Sequence, residues 1–524
     1  MLLAPWLLGI NLPYASGSRL SMSYLYFGSP TAYSSLVERT NGALNEVSPN
    51  YFELHADGSL KKTASIDSAF IRQMHQQNIR VVPFLSNHWD RASAEVALAR
   101  APELAAELAG AVREYQLDGV HVNLENLTHE HRESYTMFVE CLRRELAADD
   151  TVAVAVAANP YGFTTGWHGS YDYAALAEAA DYLMIMTYDE HYEGSDAGPV
   201  SSLDFAKRSI AYALRYAQPD KLVLGIPFYG RLWHADGLIT GKGIGDDALL
   251  QLLRTHGGIT TYDEPSQSAV AGFTLPPANQ FFEYSGNSLP DGTYTAWYAD
   301  ERAKKELLSL VEAYDLKGAG SWSLGQETAG TWDYYSLWLN GLPFADVQGH
   351  WAVPEIIEVC RAGLMKGVSE TAFAPDRAVT RAEAAVILTR LLKLPVSEEP
   401  AEVFWDMDGH WAEKEIAAMA GQGLLEGVGD GQFDPDAAIT REQAALLLHR
   451  SAVQMGVDTA APMAETFQFS DAGHVSGYAA KAVSWAAANG ILLGSGGLLR
   501  PTAEVTRAQM AALLLRFEKS REGE

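Results

Sequence analysis

Residues 117–127 read LDGVHVNLENL, and the periodicity of this stretch decides the fold of the first two thirds of the chain. Apolar and polar residues alternate from Val120 to Glu125, the period of a strand with one face against helices and the other toward a polar interior. Val120, Val122 and Leu124 fall on one face, and His121, Asn123 and Glu125 on the other, so the strand ends in a carboxylate. Asp118, near its start, is assigned to structure. Working outward, SMSYLYFGS, ALNEVSPNYFEL, IRVVPFLSN, TVAVAVAAN, DYLMIMTYDEH, KLVLGIPFYG and KGAGSWSLGQ are further short apolar strands, alternating with amphipathic stretches between residue 19 and about 340. Eight such units predict an α/β fold, a parallel (β/α)8 barrel whose functional groups gather where the strands end. Asn87, Glu125, Asn159, Asp189, Arg231 and Gln326 all fall there. Roughly residues 232–296 form an insertion before the last strand, expected to be a small α+β lobe on the rim.

The bulk numbers are those of folded, multidomain protein: 524 residues, 48% apolar and 20% charged. A formal charge of -28 excludes nucleic-acid binding through a general basic surface, since neutralising phosphates takes clustered Lys and Arg. Two distant cysteines, Cys141 and Cys360, make neither a disulfide framework nor a cysteine metal site, and no cofactor is implied. Residues 1–18, MLLAPWLLGINLPYASGS, have the apolar run and small-residue end of a signal-peptide remnant without its basic start; a first strand is the alternative. Elsewhere no apolar run reaches the ~18 residues of a membrane helix.

The last third repeats itself. FADVQGHWAVPEIIEVCRAGLMKGVSETAFAPDRAVTRAEAAVILTRLL, residues 344–392, aligns without a gap with residues 404–452, and a looser copy occupies 469–518. Each copy has an aromatic–Asp entry, an amphipathic helix, a Gly-rich turn, and Thr-Arg-x-Glu/Gln opening a second helix as N-cap and capping box. The copies resemble S-layer homology (SLH) modules, which implies a three-module helical bundle binding a pyruvylated secondary cell-wall polymer, with Arg381, Arg441 and Arg507 holding its acidic sugar. A guanidinium fork suits such a carboxylate, although one Arg alone at a helix start would be an ordinary surface charge. Trp351 and Trp411, in GHWA, are either polymer contacts or core anchors, and the third copy has GHVS instead.

The strand motifs DGVHVNLEN, MIMTYDEHY and GIPFYGRLW resemble family 18 glycoside hydrolases, in particular the bacterial peptidoglycan- and spore-acting branch. That implies a TIM barrel in which Glu125 protonates the glycosidic oxygen while the substrate's own acetamido carbonyl attacks the anomeric carbon, an exception to the two-carboxylate scheme. The family's Asp-x-x-Asp-x-Asp-x-Glu stands here as Asp118, His121, Asn123 and Glu125. Asn123 keeps an acceptor for the acetamide N–H but no charge, and a protonated His121 would weaken the acid. By the same resemblance Tyr188 supports the acetamido oxygen. Asp189 poises Glu125 and makes up part of the missing charge, and His121, Met186, Tyr229, Arg231, Trp322 and Asn159 contact substrate. The expected whole is an extracellular protein anchored to the bacterial cell wall or S-layer. It cleaves β-1,4 bonds at N-acetylglucosamine in peptidoglycan or chitin-like glycans, or else is a carbohydrate-binding barrel that has lost turnover.

Overall fold

The computed structural model describes residues 19–277, 282–284, 287–398, 403–460 and 469–522, in two compact units, Arg19–Gly341 and the residues from Leu342 onward. Residues 1–18, where a signal remnant is expected, lie outside the described residues.

In the first unit the strands Leu20–Leu25, Glu46–Pro49, Arg80–Val81, Gly119–Asn123, Thr151–Ala157, Tyr182–Met186, Leu222–Pro227 and Gly318–Trp322 lie in sequence order, and each pairing between them is parallel. The last pairs with the first, Leu20 opposite Gly318, which closes the ring. The second and third strands are broken and resume as Phe52–Leu54 and Phe84–Ser86, which pair with each other, and Phe84–Ser86 continues the ring to Gly119–Asn123. The third breaks at Pro83, which has no N–H to give a ladder. Gly119 is obligatory: at φ +144, a Cβ there would lie 2.0 Å from the Thr151 carbonyl oxygen.

The alternation of residues 120–125 separates two apolar layers. Val120, Val122 and Leu124 pack outward against helices such as Ala101–Tyr115 and Arg132–Glu145. Met22, Tyr24, Phe84, Ala153, Tyr182 and Met184 fill the barrel interior. Asp118 pins the lower end, accepting from the Val81 backbone N–H at 2.7 Å and facing His75 Nε2 at 2.8 Å. The inserted lobe is wider than expected, a five-stranded antiparallel sheet from Tyr229–His234 to Gly292–Tyr298 with the helix Asp246–Thr255 against it.

In the second unit each repeat contributes an entry turn and two helices: Val353–Arg361 and Arg381–Leu392, Glu413–Gly421 and Arg441–Gln454, Ala480–Ala488 and Arg507–Glu522. The entry Asp explains itself. Asp346, Asp406 and Asp471 accept from the backbone N–H groups of Phe373 and Ala374, Phe433 and Asp434, and Leu499 and Arg500, closing each Gly-rich turn. Thr380 with Glu383 and Thr440 with Gln443 form reciprocal capping boxes. Among the described residues no helix is long and apolar enough to cross a membrane.

Candidate active site

Glu125 follows the end of the fourth strand, and its backbone is clamped from the third: Asn87 Oδ1 accepts from the Glu125 N–H at 2.9 Å, and Asn87 Nδ2 donates to the Glu125 carbonyl at 2.8 Å. The carboxyl lies at the base of a cleft of about 600 Å3 that Asn123, Met186, Tyr188, Tyr229 and Trp322 also line. Asn123 Nδ2 donates to Glu125 Oε1 at 3.1 Å. Burial pushes the Glu125 carboxyl up to about 7, opposed by the Asn123 hydrogen bond and assisted by the negative charge of Asp189. It therefore keeps a proton to well above the range of an ordinary carboxyl and titrates close to neutral pH, as suits a general acid.

His121 takes a different place from the one expected. Its side chain is completely buried among Tyr24, Tyr182 and Phe84 beneath the cleft, with Nε2 3.0 Å from the Tyr24 hydroxyl. Burial lowers its pKa to about 3, so the imidazole is neutral and does not depress Glu125. It reaches the cleft only through Tyr24, which lines it. Asn159 is also not in the cleft lining. Its amide closes the following loop, donating to the Phe163 carbonyl and accepting from the Phe163 N–H, each at 2.8 Å.

Asp189 sits with φ +61 after the sixth strand, and its Oδ1 accepts from the Tyr229 hydroxyl at 2.5 Å and from Arg231 Nε and Nη2 at 2.9 and 2.6 Å. Its charge is thus already balanced by Arg231, which limits how far it substitutes for a carboxylate at 123. Asp189, Tyr229, Arg231 and Trp322 also border a second recess of about 440 Å3 toward the inserted lobe. Trp322 forms an aromatic floor with Tyr24 and Tyr26, ring centroids 5.1 and 5.4 Å away. Of the opposite wall, sequence reasoning singled out Tyr161 and Trp167 as aromatics that could stack on a sugar and missed Trp89 and Phe163. Trp89, 51% exposed, meets Trp167 edge-on at 5.1 Å, and the exposed Tyr161 and Phe163 continue that wall. Trp89 follows the Asn87 that clamps Glu125, so its position just past a barrel strand was the available signal.

The repeat arginines form a cycle. Arg381 reaches from the first repeat to the carbonyls of Phe433 and Glu426 in the second. Arg441 reaches from the second to Leu499 and Leu493 in the third, and Arg507 from the third back to Phe373 and Lys366 in the first. Arg507 also meets Glu383 at 3.2 Å. These guanidinium groups thus lock the three repeats together while Arg381 still lines a groove of about 210 Å3 with Gln443, Arg450 and Tyr478. Trp351 and Trp411 are exposed, 58% and 63%, rather than core anchors. Each lies two residues before its helix, at Val353 and Glu413; the same place before Ala480 is held by Tyr478, 59% exposed. The third copy therefore does carry the aromatic, displaced in sequence by its altered entry turn.

Residues 33–327 match the family model described as "Glycosyl hydrolases family 18", and residues 343–385, 404–445 and 468–511 match "S-layer homology domain". The chain is 26% identical over 209 residues to the "Putative sporulation-specific glycosylase YdhD" of Bacillus subtilis (strain 168), covering 39% of this chain and 46% of that one. To the "Cortical fragment-lytic enzyme" of the same organism it is 24% identical over 232 residues, 43% of this chain and 51% of that one. It spans about half the length of these curated relatives. Among solved structures, the chitinase from Chromobacterium violaceum ATCC 12472 superposes with a TM-score of 0.53 at 24% identity, over 62% of this chain and 98% of that one.

Proposed function

The chain belongs to the glycosyl hydrolases of family 18, whose model matches residues 33–327 of the barrel-forming unit, and from that premise we propose that it is a glycosidase cleaving β-1,4 bonds at N-acetylglucosamine in peptidoglycan or a chitin-like glycan. The observation that carries this is the Glu125 carboxyl, buried and pushed up to about 7, in an aromatic-lined cleft. Glu125 donates its proton to the glycosidic oxygen as the bond to the anomeric carbon breaks. The substrate's acetamido oxygen bonds the anomeric carbon from the face opposite the departing oxygen, giving an oxazolinium, and Glu125, now a carboxylate, accepts a proton from the water that opens it. Asn123 lines the cleft beside that carboxyl, and a turn of its amide presents Oδ1, buried and without a partner in the substrate-free structure, to the acetamide N–H. Tyr188 lies beside the same carboxyl, and Trp322 supplies the floor for the sugar ring.

The three S-layer homology repeats associate the protein with the cell wall of a bacterial surface, and we propose a pyruvylated wall polymer as their ligand. Tyr478, Trp351 and Trp411 are its aromatic contacts, and Arg450 and Arg381 beside Tyr478 its cationic ones. A second reading of the barrel, binding without turnover, is favoured by the neutral Asn123. One experiment separates the two. With N-acetylglucosamine oligomers or muropeptides as substrate, Glu125→Gln should lower kcat by about 100-fold or more with folding unchanged, because an amide has no labile proton. Activity near the parent's would remove Glu125 from the mechanism, and binding without cleavage by the parent itself would establish the second reading.

A further inference from the structure

Residues 187–202 join the sixth barrel strand to the helix Leu203–Ala213 and bring Asp189, Glu190 and Tyr192 to the cleft. The base of this long connection is fixed. Glu190 N–H donates to the Val200 carbonyl and His191 N–H to that of Pro199, and the Glu190 carboxylate accepts from the backbone N–H and hydroxyl of Ser202 at 2.7 and 3.0 Å. Its tip is a tight turn, Tyr192–Ser195, in which the Ser195 N–H donates to the Tyr192 carbonyl and the Tyr192 N–H to Ser195 Oγ, each at 3.0 Å. Tyr192 is exposed on this turn, and with Trp89, Tyr161 and Phe163 it is one of the exposed aromatic rings that line the cleft.

The inserted lobe holds that tip. Gly194 N–H donates to the Thr240 carbonyl at 2.8 Å, and Trp233 Nε1 donates to the Ser195 carbonyl at 2.9 Å. Thr240 and Trp233 stand opposite one another on the paired lobe strands Thr240–Gly245 and Tyr229–His234. Gly241 permits the close approach: it has φ +83, and a Cβ there would lie 2.3 Å from the Tyr192 carbonyl oxygen. Trp233 is itself a large aromatic near the barrel mouth, but its ring is buried and its one donor is engaged by the turn. Resting on the reading of the cleft as a glycan site, we propose that the lobe positions Tyr192 as a substrate contact: Trp233 and Gly241 fasten the Tyr192–Ser195 turn, and the Tyr192 ring grips the sugar chain. Trp233 and Gly241 are on this account positioning residues that act through Tyr192. A loose turn would have to be ordered each time a glycan bound, and that entropy loss would weaken affinity. The rate is spared, because Glu125 is clamped by Asn87 and Asp189 is held by Tyr229 and Arg231, independently of the turn.

Two measurements on the full chain test this. Trp233→Phe keeps a ring in the lobe and removes only the N–H, so amide exchange at Gly194 and Ser195 should speed up about threefold or more while the barrel strands keep their protection. Gly241→Ala, which pushes the turn away, should do the same and serves if Trp233→Phe folds poorly. Unchanged exchange in a folded variant overturns the clasp. Affinity for N-acetylglucosamine oligomers is then read in a Glu125→Gln background, so that nothing is consumed. Tyr192→Ala should weaken binding about tenfold, and Trp233→Phe about three- to tenfold. Combined, the two should cost no more than Tyr192→Ala alone, since a positioning residue has nothing left to position once the ring is gone. Fully additive losses, or a Trp233→Phe enzyme with lowered kcat and unchanged KM, overturn the positioning role. The exchange readout needs no glycan, so it stands or falls separately from the glycosidase reading, which fails if the parent neither binds nor cleaves the oligomers.

Discussion

Asn123→Asp places a carboxylate where the cationic intermediate forms, 3.1 Å from Glu125 in the parent geometry. A unit charge about 4 Å from the oxazolinium contributes roughly 4 kcal/mol at an effective dielectric of ~20. Desolvating the new carboxylate takes part of that back, leaving about 2–4 kcal/mol of transition-state stabilisation, or a 30- to 1000-fold rise in kcat. The substrate ground state is uncharged at that carbon, so KM should change less than kcat. The pH profile moves as well. Two carboxyls this close share a proton, which raises the Glu125 pKa above its present value of about 7 and shifts the alkaline limb upward. Steady-state kinetics on N-acetylglucosamine oligomers, run from about pH 5 to pH 9 on parent and variant, read both effects. An unchanged kcat with an unmoved limb would refute the charge argument: position 123 would then be remote from the developing cation.

Arg507→Ala should destabilise the helical repeats by about 2 kcal/mol or more, because it strips two backbone carbonyls and Glu383 of a buried donor; an unchanged unfolding temperature would deny the arginine cycle its structural role. Trp411→Ala should leave that temperature alone and weaken pelleting with purified walls several-fold, since its ring is exposed. Glu46, buried against the Tyr182 hydroxyl, is pushed up to about 7 chiefly by burial. Its folded pKa lies above the unfolded one near 4.5, so its stabilisation is complete below about pH 4.5 and is lost as pH rises through about 7, on the order of 3 kcal/mol at ~1.4 kcal/mol per unit. Barrel unfolding monitored at about pH 5 and pH 8 should show higher stability at pH 5 and a smaller difference in Glu46→Gln; an equal difference in both proteins would show that other groups carry it.

Local periodicity was enough to recognise the barrel, the repeats and the position of Glu125. Alternation along 120–125 sorts side chains between two layers whatever the rest of the chain does, and the capping Thr, the entry Asp and the turn glycines act within one repeat. The arginines of the repeats were equally visible, but not their use. Arg381 and the carbonyls of Phe433 and Glu426 are about fifty residues apart, and only packing of one repeat on the next brings them together. His121 makes the same point within the barrel. As a residue type it signals a titratable group near the acid; complete burial among rings from the first, third and sixth strands removes its charge. The place of Tyr478 depended on the helix register of the third repeat rather than on the GHW motif, and the Asp189 clasp on a lobe strand folding back over the barrel mouth. Sequence determines which groups are available and which face of an element they occupy. Dielectric environment and partner, which settle whether a group is charged, donating or already engaged, come from segments distant in the chain and exist only once the fold has closed around it.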